Sequence, residues 1–402
     1  MKVKSYFIIL FFFTTCLNTP YIEPDLNKDF STIEKNTRGK TVTIAMWGGD
    51  HTINTFIDNV ISPRLKKKYD ITLKRIPVSD IRTIINKLHT EKKQKKTKGS
   101  IDIIWINGEN FKLTRKYNLL YGPFSQKLPN IKYVNDDAKK KDFGLSINNM
   151  ETPWGQAHFV MVYNSAKTIT PPMSLKELEI WVKKNPGQFT YPAPPDFTGS
   201  AFIRTLLYST LPKGTTIFSK KEYQRVIAKS NFWKRLRALR PYMWKKGKTY
   251  PPSLASLNNL YQKKIISLTM SYNPASTATN IKKKRFAPSS KTYIFNHGTF
   301  TNYHYLAIPF NAYEKNGALS AINHLISVET QILKQSIDLW GDTTVLNLKK
   351  IPNNLRKKIT TMAKNKSLLS IEYLRKNEIP EMSSSLIELI EEDWKIHVAQ
   401  KP

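Results

Sequence analysis

Apolar residues recur along the chain with strand and helix periods, and the first clear run, Thr41 to Gly49 (TVTIAMWGG), predicts a buried strand that ends in a glycine turn. Val42, Ile44 and Met46 suit a central strand, and Gly48-Gly49 lets the backbone turn sharply and approach a ligand closely. Trp47 and Asp50 then stand at the strand's carboxyl edge, beyond which ligands sit in open α/β sheets. The following residues, 52–68, place Ile53, Phe56, Ile57, Val60, Ile61 and Leu65 on one helical stripe, interrupted by Pro63. Asp70 to Ile76 predicts a second strand. Ser79 caps a helix with an apolar face of Ile81, Ile84, Ile85 and Leu88, and Ile101 to Ile106 (IDIIWI) predicts a third strand. Strands alternating with helices in this way imply right-handed crossovers and a parallel sheet.

The third strand leads into Asn107-Gly108-Glu109-Asn110 and a new helix, which carries Glu109 and Asn110 to the same edge as Trp47 and Asp50. The alternative for Glu109 is a first-turn carboxylate stabilised by the helix dipole, worth about 0.3–1 kcal/mol. Residues 122–150 are polar and irregular, and they lead to Thr152-Pro153-Trp154-Gly155-Gln156, where a crossover between two lobes fits. Ser174 and Glu177 form a capping box. A strand at Phe189 to Ala193 is expected to end in Pro194-Pro195-Asp196-Phe197-Thr198-Gly199-Ser200, with a helix running on to about Leu211. Backbone N–H groups and the Thr198 and Ser200 hydroxyls at that helix start suit a carboxylate or phosphate, with ordinary capping as the rival. Ser219 to Trp244 reads as one strongly basic helix. Ile265 to Tyr272 reads as a strand that brings Tyr272 and Asn273 to its end, followed by strands near 293–295 and 303–308. An amphipathic helix pair starts at Glu314, and helices fill 353–397.

With 402 residues and 40% hydrophobic content, the chain can bury a large core, and its length suits two lobes better than one. The formal net charge of +34 raises nucleic acid or an anionic surface as a partner. The runs Lys66-Lys68, Lys92 to Lys98 and Lys282-Arg285 fall on expected helix faces and loops without any nucleic-acid signature, so they read as a generally basic surface. At the start, Lys2 and Lys4 precede an apolar run from Tyr6 to Phe13, a short export signal. It is well below the roughly 18–20 residues that span a bilayer, and no later stretch is long and apolar enough. Cys16 is the only cysteine, which excludes an internal disulfide. Thr14-Thr15-Cys16 resembles the end of a bacterial lipoprotein signal, with Phe13 in place of the usual Leu; a plain secretory signal or an incidental thiol is the alternative. Residues 17 to about 36 read as a tether.

The series MWGG, DIIWINGENF, TPWGQ, PDFTGSAFIR, TMSYNP, HYLAIPFNA and ALSAINHLISVETQ is similar, in order, to the extracellular solute-binding proteins of ABC importers, most nearly the YnjB-type subgroup. The likeness covers about residues 41–340. It implies an α/β, two-lobed periplasmic-binding-protein-like fold of type II with a hinge and an interlobe cleft. The lobes would be 37–152 with 301–340 and 153–300 with 341–402, crossing near Thr152 to Gln156 and Thr301 to Tyr305; the last segment is placed by analogy alone. It also implies a monomeric, non-enzymatic protein of the cell envelope, lipid-anchored and facing the periplasm or exterior. Such a protein needs no cofactor and no nucleic acid, and it passes a small-molecule solute to permease and ATPase subunits.

Trp47, Trp154 and Tyr272 offer flat aromatic faces, and Asp50, Glu109 and Asp196 offer carboxylates, a set that favours an organic cation. A cation over a ring gains about 0.5–2 kcal/mol, and a buried carboxylate adds a charge-assisted pair. The subgroup's loose link with thiamine-like substrates fits this. Thr198-Gly199-Ser200 suits an anionic group instead, and a zwitterion or phosphorylated cation would use both. For each aromatic, and for Trp105, hinge packing is the alternative. Seven scattered histidines lack metal-ligand spacing, and His304 between Tyr303 and Tyr305 suits a core or hinge role. No G-x-S-x-G, S-x-x-K or H-E-x-x-H occurs, although an envelope enzyme on the same fold, or a basic surface adhesin, remains the rival reading.

Overall fold

The computed structural model describes residues 23–362 and 365–400; the expected export signal and Cys16 lie outside the described residues. In chain order the strands are β1 (Thr41–Trp47), β2 (Thr72–Val78), β3 (Ile103–Ile106), β4 (Leu120–Tyr121), β5 (Lys141–Asp142), β6 (Leu145–Ser146), β7 (Glu151–His158), β8 (Val160–Asn164), β9 (Leu268–Ser271), β10 (Ser290–Tyr293), β11 (Thr299–Pro309) and β12 (Glu378–Pro380). The first sheet runs β12-β11-β3-β1-β2, with β4 and β7 also paired to β11. Its β1–β2 and β1–β3 pairs are parallel, as the strand and helix alternation predicts. The second sheet, β10-β8-β9, is antiparallel.

Each sheet has its own core. Val42, Ile44, Ile103, Trp154, Leu306 and Ile308 belong to the first, and Ala157, Phe159, Met161, Phe202, Met270 and Phe300 to the second. The chain therefore changes core between Trp154 and Ala157 on β7 and between Phe300 and Leu306 on β11. These two strands pair antiparallel, with a register shift at His304/Tyr305. That is a two-lobed α/β architecture whose lobes are joined by a strand pair.

Residues 341–402, expected in the second lobe, divide between the two cores. Val345, Leu346, Ile351 and Ile359 pack in the first, whereas Ile379, Met382, Leu386, Ile390, Trp394 and Val398 pack in the second. A third passage between lobes follows, and β12 lies on it, pairing in parallel with Thr299–Thr301 of β11.

Four local expectations are corrected. Pro63 does not interrupt the first helix, because a π-turn over Phe56–Ile61 ends there and Pro63 opens the α-helical stretch Ser62–Tyr69, where its missing N–H costs nothing. The expected tether ends early: Phe30–Lys35 is a helix with Ile33 buried in the first core. Phe189 to Ala193 forms no strand. Its side chains are buried, but Pro192, Pro194 and Pro195 remove ladder donors, and Ala193 N–H bonds to the Pro251 carbonyl instead. The basic helix expected over 219–244 breaks at Asn231, whose backbone is left-handed (φ 50°), into Lys220–Ser230 and Phe232–Ala238.

Candidate functional site

On the first lobe, β1 delivers Trp47, 45% exposed, to the sheet's carboxyl edge. Asp50 beside it caps the next helix, its Oδ1 accepting from Thr52 N (2.7 Å) and Ile53 N (3.3 Å), so this carboxylate is held by its own backbone rather than aimed outward. At the end of β3, Gly108 takes φ 56° and ψ −121°, and a Cβ there would stand 3.1 Å from the Phe143 ring. Only glycine fits this bend. Its N–H donates to Asp142 Oδ2 at 2.5 Å. Glu109 follows and is paired with Arg82 (2.8 Å). Asn110 Oδ1 is buried and without a hydrogen-bond partner.

Two acids lie beneath this edge. Burial first, and then the nearby Glu381 charge, push the Asp142 carboxyl up to about 8 against the lowering effect of the Gly108 N–H bond. Glu151, on the crossover strand, is fully buried with both oxygens unpartnered; burial first, and then Asp142, pushes it well above the usual carboxylate range. In both, burial favours the protonated carboxyl.

On the second lobe, Asp196 caps the Phe197–Tyr208 helix, accepting from Thr198 N (3.0 Å) and Gly199 N (2.9 Å), and burial raises its pKa. The N–H groups expected to meet an anion are thus already bonded. The Ser200 hydroxyl donates to Glu391 Oε1 (2.5 Å) and accepts from Arg204 Nη1 (2.7 Å). Arg204, 1% exposed, donates from Nη2 to both oxygens of Glu381 (3.0 and 3.1 Å), and the Tyr272 hydroxyl donates to the same carboxylate. Asn273 Oδ1 accepts from Ala275 N (2.9 Å), which shapes the turn after β9. The half-exposed Phe197 ring lies 4.8 Å from that of Tyr272.

The lobes meet at this place. Lys283 of the second lobe donates to Thr52 Oγ1 of the first at 2.6 Å, joining the helix that follows β9 to the helix that follows β1. Burial raises the Glu391 pKa, and the nearby Glu109 and Glu388 charges add to it; the Glu109 hydrogen bond raises that of Arg82, with the Glu388 charge adding a smaller part. Glu109, Glu381, Glu388 and Glu391 thus gather at one interlobe edge of a chain of net charge +34. Three of them come from the C-terminal tail, which no sequence motif places. The signal available was the tail's own composition, with Glu381, Glu388, Glu391, Glu392 and Asp393 close together in a lysine-rich protein.

Trp154 is corrected from a ligand face to hinge packing. It is fully buried, 5.2 Å from Trp105 and 5.1 Å from Trp340. Lys334, also fully buried, donates to the Trp154 carbonyl (2.6 Å) and to Asp342 Oδ2 (2.7 Å), while His304 Nε2 lies 3.4 Å from Asp342 Oδ1. Gly155 is required here, since a Cβ would stand 2.4 Å from Asp342 and His304. The tail also reaches the hinge, where Glu378 Oε1 lies 2.8 Å from both Gln156 Nε2 and His158 Nε2. Among the described residues no group of three or more His, Cys, Asp or Glu side chains could hold a metal ion, and no helix is long and apolar enough to cross a membrane.

The sequence profile described as bacterial extracellular solute-binding protein matches residues 63–345. Protein YnjB of Escherichia coli (strain K12) is 34% identical over 336 residues, covering 82% of this chain and 86% of that protein. The fold is similar to a spermidine/putrescine ABC transporter substrate-binding protein, PotD, from Streptococcus pneumoniae strain Canada MDR_19A, with a TM-score of 0.64 and 14% identity over 89% of this chain and 99% of that one. It is also similar to a periplasmic thiamin binding protein, with a TM-score of 0.59 and 15% identity over 90% and 96%.

Proposed function

Because the chain belongs to the bacterial extracellular solute-binding protein family, we propose that it is the capture component of an ABC import system. In this reading it holds a small organic cation, thiamine-like in size and shape, between its lobes and delivers it to a permease driven by an ATPase. The observation that carries the choice of a cation is the convergence of Glu109, Glu381, Glu388 and Glu391 on one interlobe edge of a strongly basic protein. Trp47 on one side and Phe197 with Tyr272 on the other supply aromatic faces for it. Asn110 supplies a buried acceptor that lacks a partner, and Ser200 a hydroxyl. Asp50, Asp196, Thr198 and Asn273 shape the turns that present these groups.

Capture works by closure. A ligand that touched one lobe alone would not favour the closed state, and moving an open-closed equilibrium from 1:99 to 99:1 takes roughly 5.5 kcal/mol of differential affinity. The family's export fits the N-terminal signal, and we assign Cys16 as the acylated residue that anchors a monomer to the membrane, facing the periplasm or exterior.

Thermal unfolding of the purified protein tests the ligand class. Thiamine or a related heteroaromatic cation is expected to raise the midpoint, since a ligand at about 100 times its Kd adds about 2.7 kcal/mol. Glu391→Gln should weaken that response with little change in the unliganded midpoint. A shift with dicarboxylates or phosphate, and none with cations, would overturn the assignment. Labelling with a radioactive fatty acid, lost in Cys16→Ser, tests the anchor.

A further inference from the structure

The lysine run over 92–98 lies outside the proposed solute site and lines a cavity. A space of about 750 Å³ is lined by Lys92, Lys95, Lys96, Lys98, Phe310 and Tyr313, on the first lobe where Gly99 N–H bonds to the Asn311 carbonyl. Its cations are held in place. Lys92 Nζ lies 4.3 Å from the centre of the Phe310 ring and Lys98 Nζ 3.8 Å from that of Tyr313. Lys96 bonds to Glu91, which Asn311 also holds (2.9 Å). Lys92, Lys95 and Lys98 have no ion pair among the described residues, so the cavity keeps an excess of positive charge. Glu23 lies at its rim and pairs with Lys315 (3.2 Å).

We propose that this cavity receives the headgroup of an anionic phospholipid, seating the first lobe on the membrane surface. The proposal rests on the export and anchoring reading above and is independent of the choice of solute. Only residues 17–22 separate Cys16 from Glu23, a stretch that spans at most about 25 Å when fully extended. An acyl anchor at Cys16 therefore holds the cavity within reach of the headgroups. A lipid phosphate complements the lysines, and the Phe310 and Tyr313 rings suit the boundary between headgroup and acyl chain.

The test uses the mature chain carrying Cys16→Ser, so that no acyl group contributes, with sedimentation on vesicles of phosphatidylcholine alone or mixed with phosphatidylglycerol. Binding is expected only to the mixed vesicles and should fall with salt. Lys95→Glu/Lys98→Glu should weaken it about 30-fold or more. Lys220→Glu/Lys221→Glu, on an exposed helix of the other lobe, makes the same change in net charge and should leave it near the wild-type value. Equal losses in the two double variants would reduce the effect to net charge and overturn the proposal, as would equal binding to both vesicle types. A failed solute response leaves this result unaffected, and failed acylation in cells would leave vesicle binding intact while removing its geometric basis.

Discussion

Replacing Asp142 by Asn should flatten the pH dependence of stability without disturbing the bend at Gly108, because the amide oxygen can still accept the Gly108 N–H. In the folded chain Asp142 keeps its proton up to about pH 8, whereas an unfolded aspartate releases it near 3.9. Its contribution to stability is therefore complete below the unfolded value and is lost as pH rises toward the folded one. While the unfolded state has given up the proton and the folded state has not, one group lowers the unfolding free energy by about 1.4 kcal/mol per pH unit. Between about pH 5 and about pH 7 that amounts to about 2–3 kcal/mol. Glu151 acts in the same direction, since it is wholly buried with no partner for either oxygen and its pKa is raised well above normal. Urea denaturation at several pH values measures the effect. Asp142→Asn should be close to wild type below about pH 4, more stable than wild type by about 1–2 kcal/mol at about pH 5 and by more again at about pH 7, with Glu151→Gln following the same trend. A difference between wild type and Asp142→Asn that is the same at every pH would refute the argument, because it would mean that the carboxyl is ionised when folded.

Lys334→Met should cost about 3–5 kcal/mol in denaturant unfolding, since it leaves Asp342 charged in the hinge core with only His304 nearby, and adding Asp342→Leu should recover part of that loss. Trp154→Ala should cost about 3–5 kcal/mol as a buried aromatic truncation while leaving a solute-induced rise in unfolding temperature in place; loss of the response with an unchanged midpoint would return Trp154 to the ligand site. Gly108→Ala should lower the unliganded midpoint and weaken solute binding together, because the Cβ strains the backbone at φ 56° and meets Phe143, and calorimetry reads both effects.

The first lobe was legible because its elements obey local rules. The β-branched run of β1, the Gly-Gly turn and the apolar stripe before Pro63 each state their own conformation, and the spacing of three strands with two helices states the parallel sheet. Side-chain roles at the edge were less legible. Asp50 and Asp196 look alike as a ligand carboxylate and as a helix cap, and only the hydrogen bonds to Thr52 and Thr198 separate the two. Trp154 was open for a similar reason, since an aromatic beside a glycine suits both a cleft wall and a hinge. Its burial depends on Lys334 and Trp340, far along the chain. The tail was least legible. Its partners Tyr272, Arg204, Ser200 and Gln156 lie more than a hundred residues away, and a contact of that separation leaves no periodic trace in either segment.

The tail changes how closure has to be understood. Two crossover strands alone would allow the lobes to swing about the bulge at His304 and Tyr305. Here the tail forms a third passage: Glu378 is bonded to Gln156 and His158 at the hinge, and Glu381 and Glu391 are bonded to Arg204 and Ser200 on the second lobe. Its acids are therefore held by the second lobe, and the closure proposed above would bring them toward Glu109 and Arg82 on the first. Arg204 and Arg82 offset Glu381 and Glu109, which leaves Glu388 and Glu391, without an ion pair among the described residues, as the charges a further cation would meet. On the proposed reading, a bound cation meets those charges in the closed state alone, which is the differential interaction such an equilibrium requires. On that proposal the tail joins the hinge to recognition, and its carboxylates make closure depend on the charge of the solute.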